Sequence, residues 1–431
     1  MSTAGSTRHM LSGTKKTGRS GRPVAIMAML LAAYTLNFID RQIVGILAVP
    51  IKADLGLTDS QLGLMGGLAF ALFYTGLGIP IARLADRYDR GLIMAVALGA
   101  WSLMTALCGA AQNFGQLFLA RLGVGVGEAG GVAPAYSLIS DIFPEHQRAR
   151  ALAVYSFGIP IGSASGIVFG GVIATLIDWR YAFFSVGALG LLLAPFFRRV
   201  VRDPRDENAG TAPPPVRFGK VISTLAAKPS FWLLSVGASC SSMMGYGLFF
   251  WLPSFLVRSF GLTLLSASLH YGAILLVAGI AGIWLGGRLA DRTGERRRAV
   301  YALVPAAAFV ATIPFYALGI SAQNILVAMA FLLVPTGLGL VWLGPVLAAV
   351  QGLVPPRMRS TASAIFLFVN NLIGIGIGTP AIGWLSDALT ARYGAEALRY
   401  AILAGTLFYV AAALLMLLAS RFLTRDWHEQ G

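Results

Sequence analysis

Arg83-Leu84-Ala85-Asp86-Arg87 closes one long apolar run. It recurs letter for letter, almost half of the 431-residue chain later, as Arg288-Leu289-Ala290-Asp291-Arg292. The runs before the two copies are Leu62 to Ala82 and His270 to Gly287. More arginine follows each copy: Arg90 after the first, and Arg296, Arg297 and Arg298 after the second. A repeat at about half the chain length implies two halves with one internal plan. A charged loop between two membrane-length segments makes that plan a helix bundle in a bilayer.

Composition agrees. Hydrophobic residues make up 57% of the chain and charged ones 12%, with a mean hydropathy of +0.74. A soluble domain carries roughly 25% charged residues. Twelve apolar runs are long enough to span: about 24–50, 62–82, 91–111, 115–140, 150–174, 181–201, 230–257, 268–287, 299–318, 323–346, 361–386 and 397–420. The expected fold is an all-α membrane protein with twelve transmembrane helices in two pseudo-symmetric six-helix bundles. Residues 24–201 form the first bundle and 230–420 the second. Residues 1–23 and 421–431 are tails, and 202–229 is the linker, polar at Arg202–Asn208 and stiff at Pro213-Pro214-Pro215. A short surface helix is expected from 218 to 227.

The net charge of +15 is not a nucleic-acid signal, because of where the charge sits. Of the 33 Lys and Arg, five lie in loops on one side: Lys52, Arg180, Arg258, Arg392 and Arg399. Arg41 and Arg121 lie inside spans, and the rest fall on the opposite side. This is a strong positive-inside pattern. It predicts a multi-pass cell-membrane protein with both termini cytoplasmic, and anionic lipid headgroups as neighbours of its arginines. The apolar stretch after the basic N-tail is too long for a signal peptide and lacks a small-x-small site.

Several chemistries are excluded. None of the five lysines has glycine before it and Ser or Thr after it, so there is no Walker motif. Gly123-x-Gly125-x-Gly127 follows no strand and sits in a span. His9, His146, His270 and His428 form no spaced motif, and Cys108 and Cys240 lie in apolar runs. Neither an enzyme, a cofactor nor a metal site is expected.

Four charges lie well inside spans: Asp40, Arg41, Arg121 and Glu128. Each costs at least about 2.5–3.5 kcal/mol at the bilayer centre. At 1.5 Å per residue, Asp40 and Glu128 both lie roughly 15–20 Å below the outer surface. Arg121 and Glu128 are seven residues apart and share a helix face. Pairing Arg41 with Glu128 and Asp40 with Arg121 is electrically balanced, though other pairings stay open. The cluster either holds helices together or lines a cavity. In the second case Asp40 or Glu128 exchanges protons and Arg41 or Arg121 holds an anionic group. Tyr246, Phe250, Trp342, Asn370 and Asn371 are candidate lining residues of the other half. The repeated Asp86 and Asp291, with Arg87, Arg90 and Arg292, are candidate gating residues: a loop Asp capping a helix of the opposite half would lock the cytoplasmic side.

These loops resemble the signature between spans two and three of the major facilitator superfamily, glycine-x-x-x-Asp-Arg-x-glycine-Arg-Arg. Gly287 to Arg297 fits well, while the first copy has Ala82 and Asp89 at the glycine positions. A narrower likeness is to the spinster branch, proton-linked transporters of lysophospholipids and sphingosine phosphate. It is carried by Asn37-Phe38-Ile39-Asp40-Arg41, Arg121, Gly127-Glu128-Ala129, Ala133-Pro134 and Gly158 to Ser163. The resemblance implies that Asp40, Arg41, Arg121 and Glu128, with Asn37 beside them, form the coupling and substrate cluster. It further implies a monomeric secondary transporter that moves a lysophospholipid-like amphiphile by proton-coupled alternating access. The alternatives are a transporter of small organic anions or drugs and, in another class, a non-transporting receptor or scaffold.

Overall fold

The computed structural model describes residues 21–203, 218–293, 298–355 and 358–428, and these are almost wholly helical. Twelve crossing segments account for most of the described residues. The first six are α1 (Gly21–Leu55), α2 with α3 (Asp59–Gly66, Leu68–Arg87), α4 (Arg90–Gly109), α5 with α6 (Phe114–Glu128, Val132–Ile142), α7 with α8 (Glu145–Ser156, Gly158–Leu176) and α9 (Trp179–Val200). A short α10 (Phe218–Ala226) follows, burying Val221 and Leu225, where a surface helix is expected. The last six are α11 (Pro229–Phe260), α12 (Leu264–Thr293), α13 (Val300–Ser321), α14 with α15 (Ile325–Leu338, Leu343–Gly352), α16 (Arg359–Tyr393), and α17 with α18 (Ala397–Gly405, Leu407–Asp426). The end of the bundle carrying α10 is called the linker end below, and the opposite end the far end.

Ten stretches among the described residues are long and apolar enough on their own to span. One of them, Thr361–Asp426, is two crossings joined at Gly394, whose φ is +55°. The fourth segment is absent from the ten. It carries Arg121 and Glu128 and breaks at Gly130-Gly131. The expected single run over 115–140 is therefore two helices, and Glu128 is the last residue of α5. Backbone breaks at mid-membrane depth are tolerated where protein or a cavity surrounds them.

Helix starts at the loops are capped locally. Thr58 and Gln61 form a reciprocal capping box on α2. Asp89, Asn113 and Asp178 cap α4, α5 and α9. The pseudo-symmetry extends to these caps. Gly56-Leu57-Thr58 and Gly261-Leu262-Thr263 follow α1 and α11 at the spacing that separates the two Arg-Leu-Ala-Asp-Arg copies. Both glycines take positive φ, +62° and +65°. Both threonines accept from a backbone N–H three residues on.

Close helix approach explains the glycine stripes. A Cβ on Gly162 would come within 2.4 Å of the Thr35 carbonyl oxygen, and one on Gly166 within 2.7 Å of that of Ile39. Segment five therefore packs backbone against backbone on α1. Outward faces remain apolar: Val96, Leu119, Leu176, Leu192, Leu326 and Leu407 are all exposed. A continuous belt of this kind suits lipid and not water.

Candidate functional site: a double ion pair between segments one and four

Asp40 and Arg41 are neighbours on α1, so their side chains leave the helix about 100° apart. Asp40 enters the first bundle, where α4 and α5 pack. Arg41 faces α3 and a cavity at the boundary with the second bundle. On α5, Gly127 and Gly125 let the helix lie close between its neighbours. A Cβ on Gly127 would sit 2.6 Å from the Trp101 nitrogen, and one on Gly125 2.7 Å from the Phe70 carbonyl oxygen. This places Arg121 and Glu128 against α1.

Two ion pairs result. Arg121 Nη1 donates to Asp40 Oδ1 at 2.8 Å, and Arg41 Nε to Glu128 Oε2 at 2.8 Å. Asp40 and Glu128 are fully buried and Arg121 is nearly so, whereas the Arg41 side chain keeps 13% of its exposure. The cluster is electrically neutral but not saturated. Glu128 Oε1, Arg41 Nη2 and Arg121 Nε are buried without a hydrogen-bond partner.

Thr105 of α4 completes the Asp40 side. Its hydroxyl bonds to Asp40 Oδ2 and also lies 2.9 Å from the Trp101 carbonyl oxygen. A hydroxyl has one proton to give. With Asp40 ionised, Thr105 donates to the carboxylate. With Asp40 protonated, the acid donates to Thr105 Oγ1 and Thr105 donates on to Trp101. Both protonation states of Asp40 therefore find a complete set of bonds.

Arg41 and Arg121 border a cavity of about 50 Å³ lined also by Phe38, Gln42, Phe70, Tyr246, Phe249, Phe250 and Thr379. That is room for roughly three or four water molecules. Tyr246 and Phe250 of α11 thus meet the charge cluster. The other residues singled out in the sequence lie elsewhere. Asn37 is buried within the first bundle, on a separate small pocket with Tyr34, Met94, Trp101 and Tyr155. Asn370 is buried and accepts from the Ser242 hydroxyl at 2.9 Å, joining α16 to α11. Asn371 beside it is half-buried. Trp342 packs edge-on against Phe366.

Of the gating candidates, Arg90 is buried and clasps its own half. Its guanidinium takes both oxygens of Asp203, at 2.9 and 2.6 Å, and reaches Ser137 and Asp141. The side chains of Asp86, Arg87, Asp291 and Arg292 lie outside the described residues.

A lock at the far end escaped the sequence reading. Asp59, nearly fully buried, receives both Nη atoms of Arg258, Lys52 Nζ and the Ser386 hydroxyl. Asp387 in turn caps α2, accepting from Asp59 N, Ser60 N and Ser60 Oγ. Segments seven and eleven of the second half thereby grip the start of segment two of the first. The capping box at Thr58 and Gln61 was the available sequence signal. Arg258 by itself reads as one more loop charge.

Residues 30–379 match the family model for the Major Facilitator Superfamily. The chain is 35% identical over 411 residues to an MFS-type efflux pump of Mycolicibacterium smegmatis, covering 95% of each. It is 30% identical over 400 residues to protein spinster homolog 1 of Homo sapiens, covering 88% of this chain and 76% of that one. The chain belongs to the Major Facilitator Superfamily, in its spinster branch. Among solved structures, it is similar to a bacterial homolog of the human lysosomal transporter Spinster in two inward-facing conformations. The unoccupied form gives a TM-score of 0.87 at 30% identity, and the occupied form 0.84 at 32%. Each comparison covers 96% of this chain and 100% of the other. This spinster-type chain is thus an integral membrane transporter and not an enzyme.

Proposed function

We propose that the protein moves a lysophospholipid-like amphiphile across the cell membrane by proton-coupled alternating access, with both termini in the cytoplasm. The observation that carries this reading is the double ion pair at the head of the cavity between the halves. A buried carboxylate cannot be left without a positive partner, so Glu128 holds Arg41 or takes a proton. The charged groups around Glu128 are Arg41, Arg121 and Asp40, and Arg121 cannot replace Arg41 without releasing Asp40. Proton uptake therefore frees Arg41 for the substrate. The far-end lock and the likeness to inward-facing relatives support reading this state as inward-facing. The repeated Asp86 and Asp291, with Arg87 and Arg292, would close the cytoplasmic side in the opposite state, while Arg90 stays bound within its own half.

The test is flux of labelled lysophosphatidylethanolamine in liposomes containing the purified protein, with and without a pH gradient. Gradient-dependent flux that Glu128→Gln abolishes is the expected result. Flux indifferent to the gradient would remove the proton from the mechanism. A second reading, transport of small organic anions or drugs, is favoured by the likeness to an efflux pump. Absence of lipid flux would select it.

A further inference from the structure

Trp427 is the first residue past α18, and it folds back under its own half. Its ring stacks on Tyr301 at the start of segment nine, with centroids 5.6 Å apart and planes 15° from parallel. The Arg298 guanidinium carbon lies 4.5 Å from the same ring. The ring fills a notch at Gly352, the last residue of α15, where a Cβ would run into it. His428 N donates to the Gly352 carbonyl oxygen at 2.9 Å. Asp426, one residue earlier, is the anchor. It is buried, and its carboxylate accepts from Ser230 N. Lys228 Nζ donates to the carbonyl oxygens of Asp426 and Leu353. The end of segment twelve thus ties together the linker ends of segments seven, nine and ten.

The opposite end of α15 is a bend point. Between α14 and α15 the amides of Leu340, Val341 and Leu343 reach back three residues, to Gly337, Leu338 and Leu340, instead of the four of an α-helix. Just before the break, the Gly337 backbone lies against Gly282 of segment eight, where a Cβ would meet the Gly337 carbonyl oxygen, and this contact holds α14 in place. The half-helix α15 is therefore free to bend at one end and clasped at the other. The first half has a counterpart in the contact of Asp203, just past segment six, with Arg90 at the start of segment three. That clasp is made of buried charges. The one in the second half is made of two half-buried rings and an exposed arginine, so opening it leaves no buried charge without a partner.

We propose that Trp427 is a latch on segment ten. Docked in the Gly352 notch, it holds α15 in place while the far end is locked. It leaves the notch before α15 bends at 339–342 and the protein opens at the far end. The link between the two ends is α11, which carries Lys228 and Ser230 at the clasp and Arg258 at the lock. When Arg258 departs from Asp59, the linker end of α11 shifts with it, and a docked Trp427 resists by tying α11 to α15. Asp426 stays anchored on Ser230, so the ring swings from a fixed point and docks again. The last turn of the chain thus sets how long the far end stays shut. This inference rests on the alternating-access reading above, and it needs neither the proton nor a particular substrate.

The test is the labelling rate of a cysteine introduced beside Gln61, on the full chain in lipid nanodiscs, with the signal of protein lacking that cysteine subtracted. Trp427→Ala empties the notch, and Gly352→Val evicts the ring from the other side. Each is expected to raise the rate about threefold or more, because an undocked ring no longer favours the closed state. Trp427→Phe keeps a ring and is expected to label at close to the wild-type rate. Asp59→Asn opens the same end directly and serves as the reference. A rate that rises in Asp59→Asn but is unchanged or lower in Trp427→Ala, whatever its melting temperature, would reduce Trp427 to packing and leave alternating access standing. Rates unchanged in all of these variants would end the latch and the far-end gate together.

Discussion

Arg258 holds both carboxylate oxygens of Asp59 across the boundary between the two halves, at 2.6 and 2.8 Å. Asp59 is 2% exposed, while the Arg258 side chain keeps 18% of its exposure. A forked, charge-assisted contact of this kind is strong and directional. It joins the two halves at the far end, so its removal is expected to shift a conformational balance and to leave each bundle intact. Removing one partner of a buried pair costs about 3–5 kcal/mol. Asp59→Asn is therefore expected to raise the population open at the far end by well over tenfold. Labelling rates of a cysteine introduced beside Gln61 would report it. Unchanged rates would show that Asp59 does not hold the gate.

Backbone contact seals the same end. A Cβ on Gly63 would come 2.8 Å from the Thr379 carbonyl oxygen and 2.9 Å from Pro380 Cα, on α16 of the other half. Backbone atoms cannot step aside as a side chain would. Gly63→Ala is expected to prevent full closure and cut transport at least tenfold, while the melting temperature falls only slightly. Normal transport in a folded Gly63→Ala protein would contradict this close approach.

Asp40 and Arg121 are an interdependent pair, so their losses should not add. Asp40→Asn leaves Arg121 buried without a counter-charge, and Arg121→Gln leaves Asp40 in the same position. Each single change is expected to cost about 3–5 kcal/mol of stability. The double change should cost less than the sum by at least about 1 kcal/mol. Thermal unfolding of the four proteins closes the cycle, and additive losses would deny the coupling.

Thr105 offers one proton to two acceptors, Asp40 and the Trp101 carbonyl. Thr105→Ser keeps the hydroxyl and is expected to transport normally. Thr105→Val is close in shape but has no hydroxyl. It is expected to slow gradient-driven flux about tenfold and to change its pH profile, with little change in stability. An unaltered pH profile in Thr105→Val would reduce Thr105 to a packing residue.

Arg90 is buried at the other end, with Asp203, Ser137 and Asp141 around its guanidinium. Arg90→Ala removes the guanidinium that holds both oxygens of Asp203, itself nearly buried. A loss of about 3 kcal/mol or more is expected on that account. A melting scan checks it.

Much of this molecule can be read along one dimension. Apolar runs, the Arg-Leu-Ala-Asp-Arg repeat and the asymmetry of Lys and Arg report composition against a bilayer, and that cost is the same whatever the neighbours are. Asp40, Arg41, Arg121 and Glu128 stand out for the same reason: a charge in hydrocarbon is expensive before any fold is known. The sequence offered the pairing of Arg41 with Glu128 and Asp40 with Arg121 as one balanced choice among several, because α1 and α5 each carry one acid and one arginine. Only the packing of α5 on its glycines aims Glu128 at Arg41 and Arg121 at Asp40. Phe38, Phe70 and Tyr74 look like ordinary apolar residues until three rings converge on one guanidinium, that of Arg41. Asp59 and Arg258 look like loop charges, since both lie next to turns. Tertiary structure buries them by bringing two halves together across nearly two hundred residues, and a contact between distant segments leaves no local trace in either. The sequence by itself determined a duplicated membrane bundle with a charged centre. The partners of those charges, and the lock that closes one end, were decided by how the two bundles pack, because only packing sets which groups lose water together.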